Sequence, residues 1–316
     1  GRSDARAVTM FMTAVVLVPS LVAAASAMCS RRLALGAEPA IATVVLTAVA
    51  LTVALSTGLM LCAAGVVGLA ELPAIAGFGH WSPVRLRESA EFPAWAGLLA
   101  GVLASALLAS ALYQLVSMLR AARQLSAEAA RLKPSSGHLV VIDDPAARAF
   151  AVSGRHRRII VTTTMLQQLD PVGRLALIAH ENAHLRHRHV RYVRLGRLAA
   201  AANPLARPLA RAVELAVERW ADECAVRDTG TRAGVAHAVG SAALHTTAAT
   251  RIALDIASSP TDVVDRVKML LSPAHRRESR IISAALFGAV VVIWLATTML
   301  LQRMHGAFEF SELAQR

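Results

Sequence analysis

Residues 170–189 read DPVGRLALIAHENAHLRHRH. Asp170-Pro171 is a helix start: an N-cap side chain, then a ring whose fixed φ suits the first helical position. Leu175, Ile178 and His184 follow at helical spacing, which predicts one helix from Pro171 towards Val193. Inside it lies His180-Glu181-Asn182-Ala183-His184, an H-E-x-x-H pattern. Positions i and i+4 share a helix face, so both imidazoles can reach one ion. Glu181 projects from the neighbouring position, close to that ion yet angled off the ligand pair. Zinc brings the pKa of a coordinated water down to about 7, where a carboxylate can take its proton. A shuffled chain of this composition would hold the pattern roughly 0.01–0.02 times, so chance is a poor account of it.

A catalytic zinc takes three protein ligands and keeps a fourth position open. The third ligand is expected from another element. After the break at Asn203-Pro204, a helix is predicted over about Pro208 to Arg227, ending near Gly230. Glu218 and Asp222 lie four apart on it and share a face. Glu218 is the expected ligand, and Asp222 the acceptor that orients a ligand imidazole. Glu214 shares the face and competes, but Glu218 is the one followed one turn later by Asp222, the carboxylate that orients a ligand imidazole. His245 and Arg266 are candidates for oxyanion stabilisation or substrate binding, since that role needs a donor or a cation, with a structural role as the alternative for each. His187 and His189 read as a basic helix end. Arg186, Arg188, Arg191, Arg194 and Arg197 read as one solvated or headgroup-facing stripe.

The rest of the 316-residue chain is 55% hydrophobic with 17% charged residues, an apolar excess that favours membrane spans over a soluble globule. Four stretches are long enough to cross: Ala7–Met28, Ile41–Leu69, Ala94–Met118 and Ile281–Leu301. The first is read as an uncleaved anchor, because it is long for a signal peptide and Arg31-Arg32 follow it. The net charge of +12 is nearly all arginine. It points to positive-inside topology and anionic headgroups, and direct nucleic-acid binding is not expected. Arg120–Arg280 is therefore expected in the cytoplasm, and Cys29–Ala40 with it. The loop Glu71–Pro93 and both termini are expected outside. Three cysteines without a CxxC pair argue against a thiolate zinc site and a disulfide framework.

The predicted fold class is a membrane α-helical protein with four transmembrane helices and a cytoplasmic α+β zincin-like domain. Residues 1–119 form the membrane region, 120–280 the catalytic domain, and 281–316 the last span with a short external tail. Within 120–280, Arg120–Leu132 continues the third span as helix. His138–Ile142 is a strand, and Ala149–Val152 with Arg158–Thr163 make a hairpin-like pair. The strand Arg158–Thr163 is either an edge that binds an extended peptide or an ordinary core strand.

His180–His184 followed by Glu218-x-x-Ala221-Asp222 resembles the gluzincin membrane peptidases. Two branches share the pattern: the BlaR/MecR-type antibiotic-response regulators and the HtpX-like quality-control proteases. Ala149–Val152, Ile159–Leu166 and Arg266 in Asp265-Arg266-Val267 fit both, and the likeness runs over about His138 to Leu271. It implies a zinc endopeptidase with one Zn2+ per chain on His180, His184 and Glu218, with Glu181 as general base. Three spans before the domain and one after look like the BlaR/MecR arrangement. That branch implies a cytosolic winged-helix repressor as substrate. Residues 302–316 hold no S-x-x-K motif, so β-lactam sensing is not expected of them. The alternatives are quality control of membrane proteins and a non-catalytic scaffold, and the intact ligand set argues against the second.

Overall fold

The computed structural model describes residues 24–76, 93–245, 260–272 and parts of 284–306. Residues 24–36 are helical and are termed α1. They are followed by α2 (Pro39–Ala70) and, after residue 92, α3 (Ala94–Arg131). A three-stranded sheet comes next, β1 (Leu139–Ile142), β2 (Ala149–Val152) and β3 (Arg158–Thr162). After a short helical turn at Thr163–Gln167, the longer helices among the described residues are α4 (Pro171–Arg186), α5 (Val190–Ala202), α6 (Arg207–Thr229), α7 (Arg232–His245) and α8 (Pro260–Leu271).

Among the described residues, two helices, α2 and α3, are long and apolar enough to cross a membrane. They differ in how they are used. Only 11% of the apolar window of α3 is buried, against 44% for α2. Leu99, Val102, Leu108 and Leu112 of α3 are exposed. An apolar surface of that extent on a long helix suits lipid better than water. The first expected span is described only from residue 24 onward, and most of its residues lie outside the described ones. In the fourth, Val290–Met299 is helical. The expected orientation of loop 71–93 and of the termini falls largely outside the described residues.

Helices α2 and α3 cross on glycine. A Cβ placed on Gly68 would sit 2.6 Å from the Gly97 backbone, and one on Gly65 would sit 2.7 Å from Gly101 Cα. Any side chain there would force the backbones apart, and small residues at such crossings allow close van der Waals packing. The opposite face of α2 forms the largest core. Leu46, Val49 and Val53 pack with Leu209, Val213 and Val217 of α6 and with Leu33 of α1. Asn203 ties the break between α5 and α6 to this helix. Its Oδ1 accepts from Leu205 N–H at 3.0 Å, and its Nδ2 donates to Thr57 Oγ1 at 3.0 Å.

The sheet order is β1-β3-β2, with β1 parallel and β2 antiparallel to β3. Arg158–Thr163 is therefore not an edge: β3 is paired on both sides and ends at Thr162. Ile159, Ile160, Val161 and Thr162 are all buried, the run expected of a strand covered on both faces. Among the described residues, the outer strands of the sheet are β1 and β2.

The Asp170 side chain accepts from Gly173 N–H at 2.7 Å, the expected N-cap of α4. The helix does not run on to Val193. It stops at Arg186, and a new helix starts at Val190. Arg188 adopts φ +53° between them. His189 N–H donates to the His184 carbonyl at 3.1 Å and Arg188 N–H to the Leu185 carbonyl at 3.4 Å. These two bonds define a Schellman termination with arginine where glycine is usual. The break also divides the arginine series, so no single stripe forms. Arg197 pairs with Glu214 at 2.7 Å and Arg186 with Asp228 at 3.5 Å.

Candidate metal centre

Helices α4 and α6 meet through small side chains. Ala183, Ala221 and Cys224 are fully buried at the crossing, with Trp220 packed beside them. The short side chains bring the helices close enough for carboxylates on one to reach imidazoles on the other. His180 Nε2 and His184 Nε2 lie 3.1 Å apart. Glu218 Oε2 is 3.5 Å from His180 Nε2, and its Oε1 is 3.6 Å from His184 Nε2. Zinc–nitrogen bonds of about 2.05 Å at tetrahedral angles put neighbouring ligand atoms about 3.3 Å apart. The three donors bracket that separation, and all lie within 4.8 Å of one another. Two imidazoles and one carboxylate are a donor set that suits zinc among divalent ions. The residues fit a single metal ion.

The competing carboxylate is engaged elsewhere. Glu214 is held by Arg197 on α5, and Glu218, one turn later, points into the site. Asp222 stands behind His180. Its Oδ1 is 2.9 Å from His180 Nδ1, though the ring N–H is not aligned for a full hydrogen bond. Either way the carboxylate favours the tautomer that leaves Nε2 free for a metal.

Arg266 of α8 completes the group. Its Nε donates to Asp222 Oδ2 and its Nη2 to Asp222 Oδ1, each at 2.7 Å, and Nη1 is 2.9 Å from Glu218 Oε2. Its side chain is 8% exposed. With Nε, Nη1 and Nη2 each set against a carboxylate oxygen, Arg266 holds Glu218 and Asp222 in place. The side chain of His245 lies outside the described residues.

A second arginine secures the far side of α6. Arg219 is buried and donates to the carbonyls of Ala34 and Ala37, the latter at 3.3 Å, where α1 ends. Arg31 of α1 pairs with Asp262 at 2.9 Å and with Asp265, both on α8. Helix α1 thus touches both α6, which carries Glu218, and α8, which carries Arg266.

Electrostatics divide the titratable groups. Glu181 is pushed up to about 7, first by burial and then by the charge of Glu218. His180, Arg266 and the Ala151 N–H of β2 pull it back in part. A carboxyl group poised near neutrality suits proton transfer. His184 is lowered to about 4, chiefly by burial, and is neutral and ready to ligate. Burial also lowers His180, but Asp222 and Glu218 outweigh it and raise the imidazole to about 10 in the metal-free protein. Glu218 and Asp222 are buried carboxyls that burial would raise. Arg266 and His180 hold Glu218 well below its ordinary value and Asp222 at about 2.

His189 is the residue the sequence reading placed wrongly. It is fully buried against His184 and Trp220, with ring centroids at 4.9 and 4.7 Å. Its only sequence signal was its place five residues after a ligand histidine.

The family model of Peptidase family M48 matches residues 114–196, about a quarter of the chain. Comparisons with curated proteins and with solved structures gave no match. The matched segment holds His180, Glu181 and His184 and stops before Glu218, which the fold brings to them. The likeness is to membrane-associated metallopeptidases and implies metal-dependent hydrolase chemistry.

Proposed function

We propose that the chain is an integral membrane zinc endopeptidase that cleaves a cytosolic transcriptional repressor of the winged-helix type in a signalling response. The observation that carries the peptidase reading is the convergence of His180, His184 and Glu218 beside a buried Glu181. His180, His184 and Glu218 would hold one zinc ion. When bound, the metal supplies Lewis-acid polarisation of water and of the scissile carbonyl. Glu181 takes the proton of the attacking water as the oxygen bonds to the carbonyl carbon. As the C–N bond breaks, Glu181 returns that proton to the departing amine. Asp222 and Arg266 keep His180 and Glu218 in position throughout. No side chain becomes covalently attached to the substrate.

The proposed topology has four spans, with residues 120–280 in the cytoplasm and both termini outside. The arginine distribution supports it. Labelling of cysteines introduced at Ser82 and Ser311 checks it, and protection of both from an impermeant reagent in intact cells would overturn it.

A second reading, quality control of membrane proteins, draws on the core shared by α2 and α6. The helix that carries Glu218 lies directly on a membrane-length helix, so a bilayer-embedded substrate would be near. Proteomics of cells expressing the parent or Glu181→Gln separates the two. Stabilisation of one soluble repressor in the variant supports signalling, and accumulation of many membrane proteins supports quality control. Bound zinc and peptide hydrolysis measured on one Glu181→Gln preparation test the chemistry. Zinc retained with hydrolysis undiminished would remove Glu181 as the base.

A further inference from the structure

We propose that His189 is a positioning residue for the metal centre: its imidazole accepts a hydrogen bond from His184 and so fixes the tautomer and ring plane of that ligand. The proposal rests on the reading of His180, His184 and Glu218 as ligands and adds a group behind them.

The two Nδ1 atoms of His184 and His189 are 3.2 Å apart. The rings meet edge to face at 89°. His184 presents Nε2 to His180 and Glu218, so a metal there would use that lone pair, and the proton of a neutral ring would sit on Nδ1. The Nδ1 proton then needs an acceptor. Among the described residues, no carboxylate or carbonyl is placed behind His184 as Asp222 is behind His180. The acceptor at hand is Nδ1 of His189. Because its Nδ1 faces the back of the ligand ring, away from Nε2, His189 cannot ligate the same ion in this arrangement.

Backbone geometry delivers this contact. The termination of α4 folds the chain back so that His189 N–H reaches the His184 carbonyl at 3.1 Å. Arg188 takes a left-handed φ of +53° to allow it, a conformation that L residues adopt at some cost. Main chain and side chain of His189 therefore both address His184. Trp220 lies against the ring, and His187 stacks on it at 5.6 Å and 18°. These contacts leave His189 with 0% exposure.

One feature argues against a packing role alone. If Nδ1 of His189 accepts, Nε2 carries the hydrogen, and that atom is buried with no hydrogen-bond partner among the described residues. An apolar side chain would fill the space without leaving such a donor, and unsatisfied buried groups call for an explanation. Orienting partners of ligand histidines are usually carboxylates or carbonyls. Here a second imidazole takes that place, which gives His180 a charged support and His184 a neutral one.

The test uses the full chain in detergent, with zinc affinity measured by chelator competition and thermal melting measured without metal. His189→Leu removes the acceptor and should weaken zinc binding about 10–100-fold, as loss of such a partner does, with metal-free melting unchanged or raised. His189→Asn returns an acceptor near the Nδ1 position and should restore most of the affinity. If His189→Leu does not fold, His189→Gln replaces it, since it displaces the acceptor while keeping the bulk, and it should bind weakly. Parental affinity in His189→Leu, or in His189→Gln where that variant stands in, would overturn the proposal. Equal weakening in the Asn and Leu variants with lowered metal-free melting would overturn it too. Failure of the parent protein to bind zinc would instead sink the ligand reading itself.

Discussion

Arg266→Ala should destabilise the metal-free protein strongly and the zinc-loaded one somewhat less. The guanidinium makes two 2.7 Å bonds to Asp222 and one 2.9 Å contact to Glu218. Asp222 is 2% exposed and Glu218 26%. Truncating one member of a buried ion pair typically costs about 3–5 kcal/mol, because the remaining charge is stranded. The Asp222 contact accounts for most of that, since the more exposed Glu218 is partly screened. For a folded unit of this size each kcal/mol moves the melting point by about 2–4 °C, so a drop of about 6–20 °C is expected without metal. A bound dication would compensate Glu218 directly and shrink the drop. The pH dependence has a fixed sign. Asp222 is depressed to about 2, so its contribution is present above the ordinary carboxylate value and lost as pH falls through the folded one. The gap between parent and variant should therefore close from about pH 4 downward. Arg266→Lys should lie between, because an ammonium cannot span two carboxylates as a planar fork does. Melting curves of the purified protein with zinc and with chelator give the answer. A metal-free Arg266→Ala melting within about 2 °C of the parent would refute the claim that this arginine holds the carboxylates together.

Three further outcomes are expected. Zinc binding should weaken about tenfold per pH unit over the range where His180 is protonated, because an imidazole held up to about 10 must release its proton to ligate. Calorimetry in buffers of different ionisation enthalpy should show about one proton released per metal, and no release would contradict the raised value. Glu218→Ala should lose most of the bound zinc while Glu214→Ala keeps it, measured by metal analysis; the reverse would mean the ligand is misassigned. Arg188→Gly should stabilise the protein by about 0.5–1 kcal/mol, since glycine takes the left-handed φ without a Cβ clash but gains freedom when unfolded. Unchanged or lowered denaturation midpoints would show that the arginine side chain offsets its own strain.

What the sequence determined by itself is local and periodic. The spacing of His180 and His184, the pairing of Glu218 with Asp222, the Asp170 cap and the end of α6 at Gly230 all follow from a 3.6-residue repeat and the chemistry of helix ends. The apolar lengths of α2 and α3 were legible for the same reason. Tertiary structure decided matters that depend on partners distant in the chain. Glu214 and Glu218 share a face, and only the position of Arg197 on α5 consigns one to an ion pair and leaves the other for the metal. The partners of Arg266 were set only when α8 packed its guanidinium between two carboxylates. The sequence left β3 open as edge or core strand, because a strand's second neighbour is chosen by long-range pairing, not by its own residues. The break at Arg188 carries no glycine to announce it, so nothing local marks the turn that places His189 behind His184. Helical spacing is written into short stretches of chain, whereas the second partner of a charge, a strand or a ligand is fixed only when separate elements pack.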